Sequence, residues 1–230
     1  MQENHELLVL NGYLAVIIDE RKYLVDTGME YSFCYSYTNT LKLNNLYFKI
    51  RNFGNVKKCV FDELTGASID GLIGMDIISK TGLVIDFKNK LIEFGDDCSK
   101  SDFIINFDYF NEQKLINVDG FVINENEVKN VLFDTCAPNP YVMNKYLSVK
   151  TNELYYEYSP YYGEATGYLF EAYYDVCNHT YFKKAIPSGD NLNMNQTFLA
   201  HYVDALLGWS IFNDITKLVI NVDEMKIYIL

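Results

Sequence analysis

Half of this chain repeats the other half. One copy begins Leu8-Val9-Leu10-Asn11-Gly12-Tyr13-Leu14 and reaches Tyr23-Leu24-Val25-Asp26-Thr27-Gly28. The other begins Ile116-Asn117-Val118-Asp119-Gly120-Phe121-Val122 and reaches Val131-Leu132-Phe133-Asp134-Thr135-Cys136. The turn glycine precedes the aspartate by 14 residues in both, from 12 to 26 and from 120 to 134. A second matched signal follows, Asp70-Gly71-Leu72-Ile73-Gly74 against Asp204-Ala205-Leu206-Leu207-Gly208. Each then runs into paired apolar segments, Leu83–Phe87 with Leu91–Phe94 and Leu218–Val222 with Ile227–Ile229. A fold built on this chain must place two similar units side by side.

The local patterns are those of strands: runs of four to eight apolar or β-branched residues bounded by Asn-Gly, Asp-Gly, Lys-Asn and Asp-Glu pairs. Asn11-Gly12 and Asp119-Gly120 supply the positive φ angles that tight hairpins require. Short helical turns are expected after Gly74 and Gly208 and near Tyr141 to Leu147. The fold class expected is all-β and bilobal. Residues 1–97 form one lobe, 98–112 a connection and 113–230 the second lobe, the two related by a pseudo-two-fold axis.

An apolar strand ending in Asp-Thr places a carboxylate where the chain turns out of a core. Two such turns from similar lobes can bring Asp26 and Asp134 together on the pseudo-two-fold axis. Two carboxylates that close cannot both ionise, so they share a proton. Such a pair suits peptide hydrolysis, one carboxylate taking a proton from water while the other protonates the scissile carbonyl.

On these residues the chain resembles the aspartic proteases of the retropepsin and pepsin type. The resemblance rests on Val25-Asp26-Thr27-Gly28, Phe133-Asp134-Thr135-Cys136, Leu72-Ile73-Gly74 and Leu206-Leu207-Gly208. The length is closer to two fused retropepsin subunits than to a full pepsin. The resemblance implies that Asp26 and Asp134 are the catalytic pair and that Thr27 and Thr135 lock the lobes together. Gly28 and Cys136 would then flank the pair. It also implies that each Asp-Thr turn packs against the glycine strand of its own lobe.

Three departures stand out. Cys136 occupies a family glycine position, and Met29 follows the first Asp-Thr-Gly where the family has serine or alanine; Ala137 conforms. The third is the flap, the hairpin that closes over substrate. From Asp134 to Gly208 there are 74 residues, against 48 from Asp26 to Gly74. A single flap is therefore expected on the C-terminal lobe, within 155–174. Tyr161, Tyr162, Gly163, Thr166, Gly167 and Tyr168 would meet substrate at its tip. Leu41 to Phe53 lacks a glycine tip.

The net charge of −12 repels a phosphate backbone and argues against nucleic acid. The five cysteines are odd in number and dispersed, and His5, His179 and His201 lack ligand spacing, so neither a disulfide framework nor a metal is expected. The expectation is of no cofactor at all. No apolar run is long enough to span a membrane, and Met1 to Glu6 lacks the pattern of a secretion signal, which points to the cytoplasm. Asp70 and Asp204 read as turn caps, Asp76 as a surface residue and Cys136 as a small buried residue. The functional expectation is a monomeric aspartic endopeptidase acting on extended peptide or protein. The alternatives are an inactive peptide- or protein-binding module on the same frame and, third, a decoy that regulates a true protease.

Overall fold

A computed structural model describes residues 3–36, 40–52, 58–96, 101, 103–110, 112, 114–159, 163–190, 192–212 and 214–230. Its centre is a run of six antiparallel neighbours: Phe103–Phe110, Lys226–Ile229, Lys217–Asn221, Leu83–Asp86, Leu91–Glu93 and Asn4–Leu10. The two halves of the chain meet within it, where Lys217 to Ile220 pair with Asp86 to Leu83. Leu83, Ile85, Leu218, Ile220 and Ile227 are almost wholly buried. Strands buried to this degree read as continuous apolar runs rather than alternating ones, as Leu83-Val84-Ile85 and Leu218-Val219-Ile220 do.

From this centre the sheet extends into each half. On one side Asn4–Leu10 pairs with Tyr13–Ile18, then Arg21–Val25, then Gly71–Ile73. On the other, Phe103–Phe110 pairs with Leu115–Val118, then Val131–Phe133, then Ala205–Leu207. In both halves the last pairing is parallel, Val25 opposite Ile73 and Phe133 opposite Leu207. The stretch expected as a connection is thus itself partly strand.

The Asn11-Gly12 turn forms as expected, both residues at positive φ between paired Leu10 and Tyr13. Asp119-Gly120 does not close a hairpin. Only Gly120 has positive φ, and buried Phe121 carries the chain into a separate sheet. That sheet orders Asn126–Glu127, Val122–Ile123, Tyr173–Val176 and His179–Phe182. Helical turns follow Gly74 (Met75–Thr81) and Gly208 (Trp209–Ile211) and occupy Asn144–Tyr146. Lys58–Thr65 and Leu192–His201 are helices that periodicity did not reveal, because among the described side chains the first buries only Phe61, and the second only Met194 and Phe198, as apolar residues. Cys34, Cys59, Cys136 and Cys177 are free thiols.

Candidate active site

The parallel pairings bring both Asp-Thr turns to the junction of the halves. Asp26 donates its amide to Ile73 O (3.0 Å), and Asp134 donates its amide to Leu207 O (2.8 Å). Each turn is thereby pinned to the glycine strand of its own half. Asp70 and Asp204 brace the neighbouring strands by accepting the amides of Lys22 and Lys129, at 3.0 and 2.8 Å. Lys145 adds an ion pair to Asp204 at 2.8 Å.

Two threonines join the halves. Thr27 Oγ1 donates to Phe133 O, and Thr135 Oγ1 donates to Val25 O, both at 2.7 Å. The amides reciprocate, Thr135 N donating to Thr27 Oγ1 (3.0 Å) and Thr27 N to Thr135 Oγ1 (3.2 Å). Both threonines are fully buried, so these four bonds have no water to replace them.

Asp26 and Asp134 lie against each other within side-chain hydrogen-bonding distance. Gly28 N donates to Asp26 Oδ1 (2.9 Å) and Cys136 N donates to Asp134 Oδ1 (2.7 Å). Burial and then the Asp134 charge push the Asp26 carboxyl well above the usual aspartate range. Burial also raises Asp134, but the amide of Cys136 and a hydrogen bond from Asp26 offset part of that rise. Both carboxyls are thus raised, and the pair titrates as one unit that holds a single shared proton.

Gly28 and Cys136 are explained by space rather than backbone freedom. Gly28 does not have positive φ, but a Cβ there would overlap Asp134 Oδ2. On the other side Cys136 does carry a side chain, and its thiol donates a hydrogen bond to Asp26. Burial first, then the Asp26 and Asp134 charges, push that thiol well up, so it stays protonated and is no nucleophile. Met29 is buried against Tyr13, Leu24 and Phe33. Asp76 is no idle surface residue: its Oδ1 accepts from Ser32 N (2.8 Å) and Ser32 Oγ (2.6 Å). Ser32 Oγ in turn accepts from Gly74 N at 2.9 Å, fixing the turn beside Ile73.

Strands Lys150–Ser159 and Gly163–Phe170 pair as a long hairpin. Tyr161 and Tyr162 lie outside the described residues. Gly163 has positive φ at the turn, and Gly167 leaves room for the Asp190 carboxylate, which accepts from the Tyr155 hydroxyl at 3.1 Å. Thr166 and Tyr168 are on the exposed face, opposite Tyr155, Glu157 and Ala165, which are buried. The smaller hairpin of the first half, Thr40–Leu43 with Leu46–Lys49, turns on Asn44-Asn45. Asn44 ties it to Glu3 and Phe94, away from the aspartates.

Glu157 is the site residue that sequence reasoning did not find. It is 6% exposed on the inner face of the long hairpin, and accepts hydrogen bonds from the Tyr13 hydroxyl and the Asn139 side chain. Burial raises its carboxyl to about 7, with the Asp134 charge adding to the rise. Its signal was parity, since it shares a strand face with Tyr155 inside a tyrosine-rich run.

No protein-family model matches this sequence, and no curated protein does. Many solved structures share its fold, among them these two. An aspartic proteinase from Irpex lacteus is 10% identical with a TM-score of 0.52, over 99% of this chain and 96% of that one. Basic 7S globulin from soybean is 9% identical with a TM-score of 0.53, over 99% of this chain and 94% of that one. At such identities the likeness concerns architecture alone, and the chain has the all-β, bilobal fold of the acid proteases.

Proposed function

We propose that this protein is an aspartic endopeptidase that hydrolyses extended polypeptide in the cleft between its halves. The observation that carries the reading is the coupled pair itself. Asp26 and Asp134 are hydrogen-bonded to each other, held by opposed backbone amides and fixed by the reciprocal threonine bonds. The ionised carboxyl of the pair takes a proton from an attacking water. The protonated carboxyl donates to the scissile carbonyl oxygen, giving a tetrahedral diol. Collapse of the diol returns a proton to the departing amine, and the pair regains one shared proton. The long hairpin covers the pair, and substrate lies beside it as an added strand. Both aspartates come from one chain, so a monomer carries a complete pair.

Hydroxylamine trapping tests this chemistry. Peptide cleavage should yield only free carboxylates when hydroxylamine is present, since water attacks directly. Peptidyl hydroxamates would reveal an acyl-enzyme and contradict the shared-proton reading.

A second reading has one observation in its favour. The Cys136 thiol engages Asp26, whereas the matching Gly28 sets no side chain against Asp134. On that reading the frame binds peptide or protein without cutting it. Binding of peptide pools by folded protein without cleavage at any pH would favour it. A partner protease whose activity changed on addition of this chain would favour a decoy instead.

A further inference from the structure

The long hairpin is a two-stranded sheet, so each of its strands has an outer edge. Strand Lys150–Ser159 is the one that reaches the first half, through the bond from Tyr13 to Glu157 and against helix Lys58–Thr65. The outer edge of Gly163–Phe170 lies on the other side, toward Ala185 and Asp190. At its end Phe170 exchanges both backbone bonds with Ala185, at 2.9 and 2.7 Å. Leu169 O turns the opposite way and accepts from Thr151 Oγ1 of the paired strand, at 2.9 Å. Backbone groups alternate in direction along an antiparallel strand, and the register is unbroken from Gly163 to Tyr168. The amides and carbonyls of Tyr168 and Thr166 therefore point to the same outer side as those of Phe170. No described residue bonds to them there.

Folded proteins blunt such edges with proline, a bulge or a lysine. This strand has no proline, and the irregularity in the pairing lies in the other strand, between Lys150 and Leu154. Lys150 is held over the Tyr168 ring instead, its Nζ 3.8 Å from the ring centre. The edge opens onto a recess of about 240 Å³ lined by Lys150, Thr166, Gly167, Tyr168, Phe170 and Asp190. That recess reaches both faces of the strand. Lys150 and Tyr168 bound it on the exposed face. The Asp190 carboxylate bounds it beneath Gly167, on the face shared with buried Ala165 and Leu169. Unpaired backbone with room on both faces is what an added strand needs.

We propose that the outer edge of Gly163–Phe170 is a second polypeptide site, outside the cleft, which takes an extended basic segment of a partner protein as a third strand. The site goes beyond cleavage and serves a binding module equally. Thr166 and Tyr168 offer the segment two donors and two acceptors. The segment's residue opposite Gly167 falls in the closer, non-hydrogen-bonded pair, with its side chain on the Asp190 face. Asp190 Oδ2 accepts from the Tyr155 hydroxyl at 3.1 Å, and a carboxylate has further lone pairs for a lysine or arginine. Lys150 lies on the opposite face and so confines the basic side chain to the Asp190 side. The net charge of −12 favours a basic partner over a second copy of this chain.

The test uses the whole chain and capped peptides that alternate threonine and valine around a central lysine, norleucine or glutamate, with binding read by fluorescence anisotropy. The lysine peptide should bind about tenfold more tightly than the norleucine peptide, and the glutamate peptide more weakly than either. Asp190→Asn, which still accepts from Tyr155, should bring lysine and norleucine within about twofold. Thr166→Pro removes an amide that the hairpin ladder does not use. It should leave thermal unfolding unchanged and weaken the lysine peptide at least about tenfold. N-methylation of the peptide probes the same bonds without altering the protein. Methyl groups on the two residues flanking the lysine should abolish binding, whereas one on the lysine amide should not. A lysine preference that survives Asp190→Asn, or N-methylation that acts without regard to position, would overturn the proposal. So would a folded Thr166→Pro that binds as the wild type does, or a wild type that binds none of the peptides. A benzoylphenylalanine beside the lysine should label Thr166 to Phe170 or Asp190 on irradiation. Label at the Asp26 and Asp134 turns would put the peptide in the cleft, overturning the separate site and leaving the cleavage reading intact.

Discussion

At the scale of single residues, the two positions following the threonines carry opposite constraints. Gly28 touches the opposing carboxylate so closely that a methyl group would overlap Asp134 Oδ2. Gly28→Ala should therefore destabilise the protein by about 1–3 kcal/mol, as overpacking does, and abolish cleavage. Urea unfolding read with peptide turnover would check both effects, and an unaffected turnover would mean that the carboxylates are not held as described. Cys136 shows that the pseudo-symmetric position tolerates a side chain, but its thiol engages Asp26. Cys136→Gly should raise turnover by about tenfold, the equivalent of one displaced hydrogen bond to a charged or acidic group. Unchanged turnover would mean that the thiol does not compete with substrate. The sequence marked Cys136 as a departure but not its consequence, because spacing cannot distinguish a glycine needed for room from one needed for φ.

At the scale of elements, the threonine bonds join strand ends that lie more than a hundred residues apart in sequence. Removing either hydroxyl leaves one carbonyl and one amide unpaired in a dry interface. Thr27→Val or Thr135→Val should each destabilise by about 2–4 kcal/mol, since each strands two buried groups. Chemical denaturation would check the figure, and a loss well under about 1 kcal/mol would show that the lobes do not depend on these bonds. The Asp-Thr turns were legible because strand, turn and glycine strand recur at matched spacing. The long hairpin was legible from chain length and tyrosine content, but its facing was not. Tyr168 and Thr166 point outward because parity along Gly163–Phe170 puts Ala165 on the inner face. Asp76 escaped sequence reading for another reason, since its partner Ser32 lies 44 residues away.

At the scale of the whole molecule, the central strands make the halves one hydrogen-bonded body, and the ionisable groups set its pH response. Glu157 has its folded value raised to about 7 from an ordinary 4.5, chiefly by burial. Its contribution to stability is therefore full below about pH 4.5 and is lost as pH rises through about 7, by up to about 3 kcal/mol. Glu157→Gln should remove that decline, so wild type and variant should diverge in thermal stability as pH rises from 4.5 to 8; parallel profiles would show that the carboxyl is not buried in solution. Asp204 behaves oppositely. Although burial opposes it, hydrogen bonds from Lys145 and from the Lys129 amide hold it below the usual aspartate value. Its contribution is present above the ordinary aspartate range and fades as pH falls through its lowered folded value. The bilobal all-β frame was legible in the repeat, while the strand across the connection and the two short helices were not, because tertiary packing rather than local pattern forms them. The proposed chemistry requires the aspartates to act as one proton-sharing unit. It is tested most directly by cleavage of a diverse unstructured peptide pool across about pH 3 to 8, comparing wild type with Asp26→Asn and Asp134→Asn. Cleavage by the wild type that disappears in both variants is the expected result; cleavage that persists in either, or folded wild type that cleaves nothing, would contradict it.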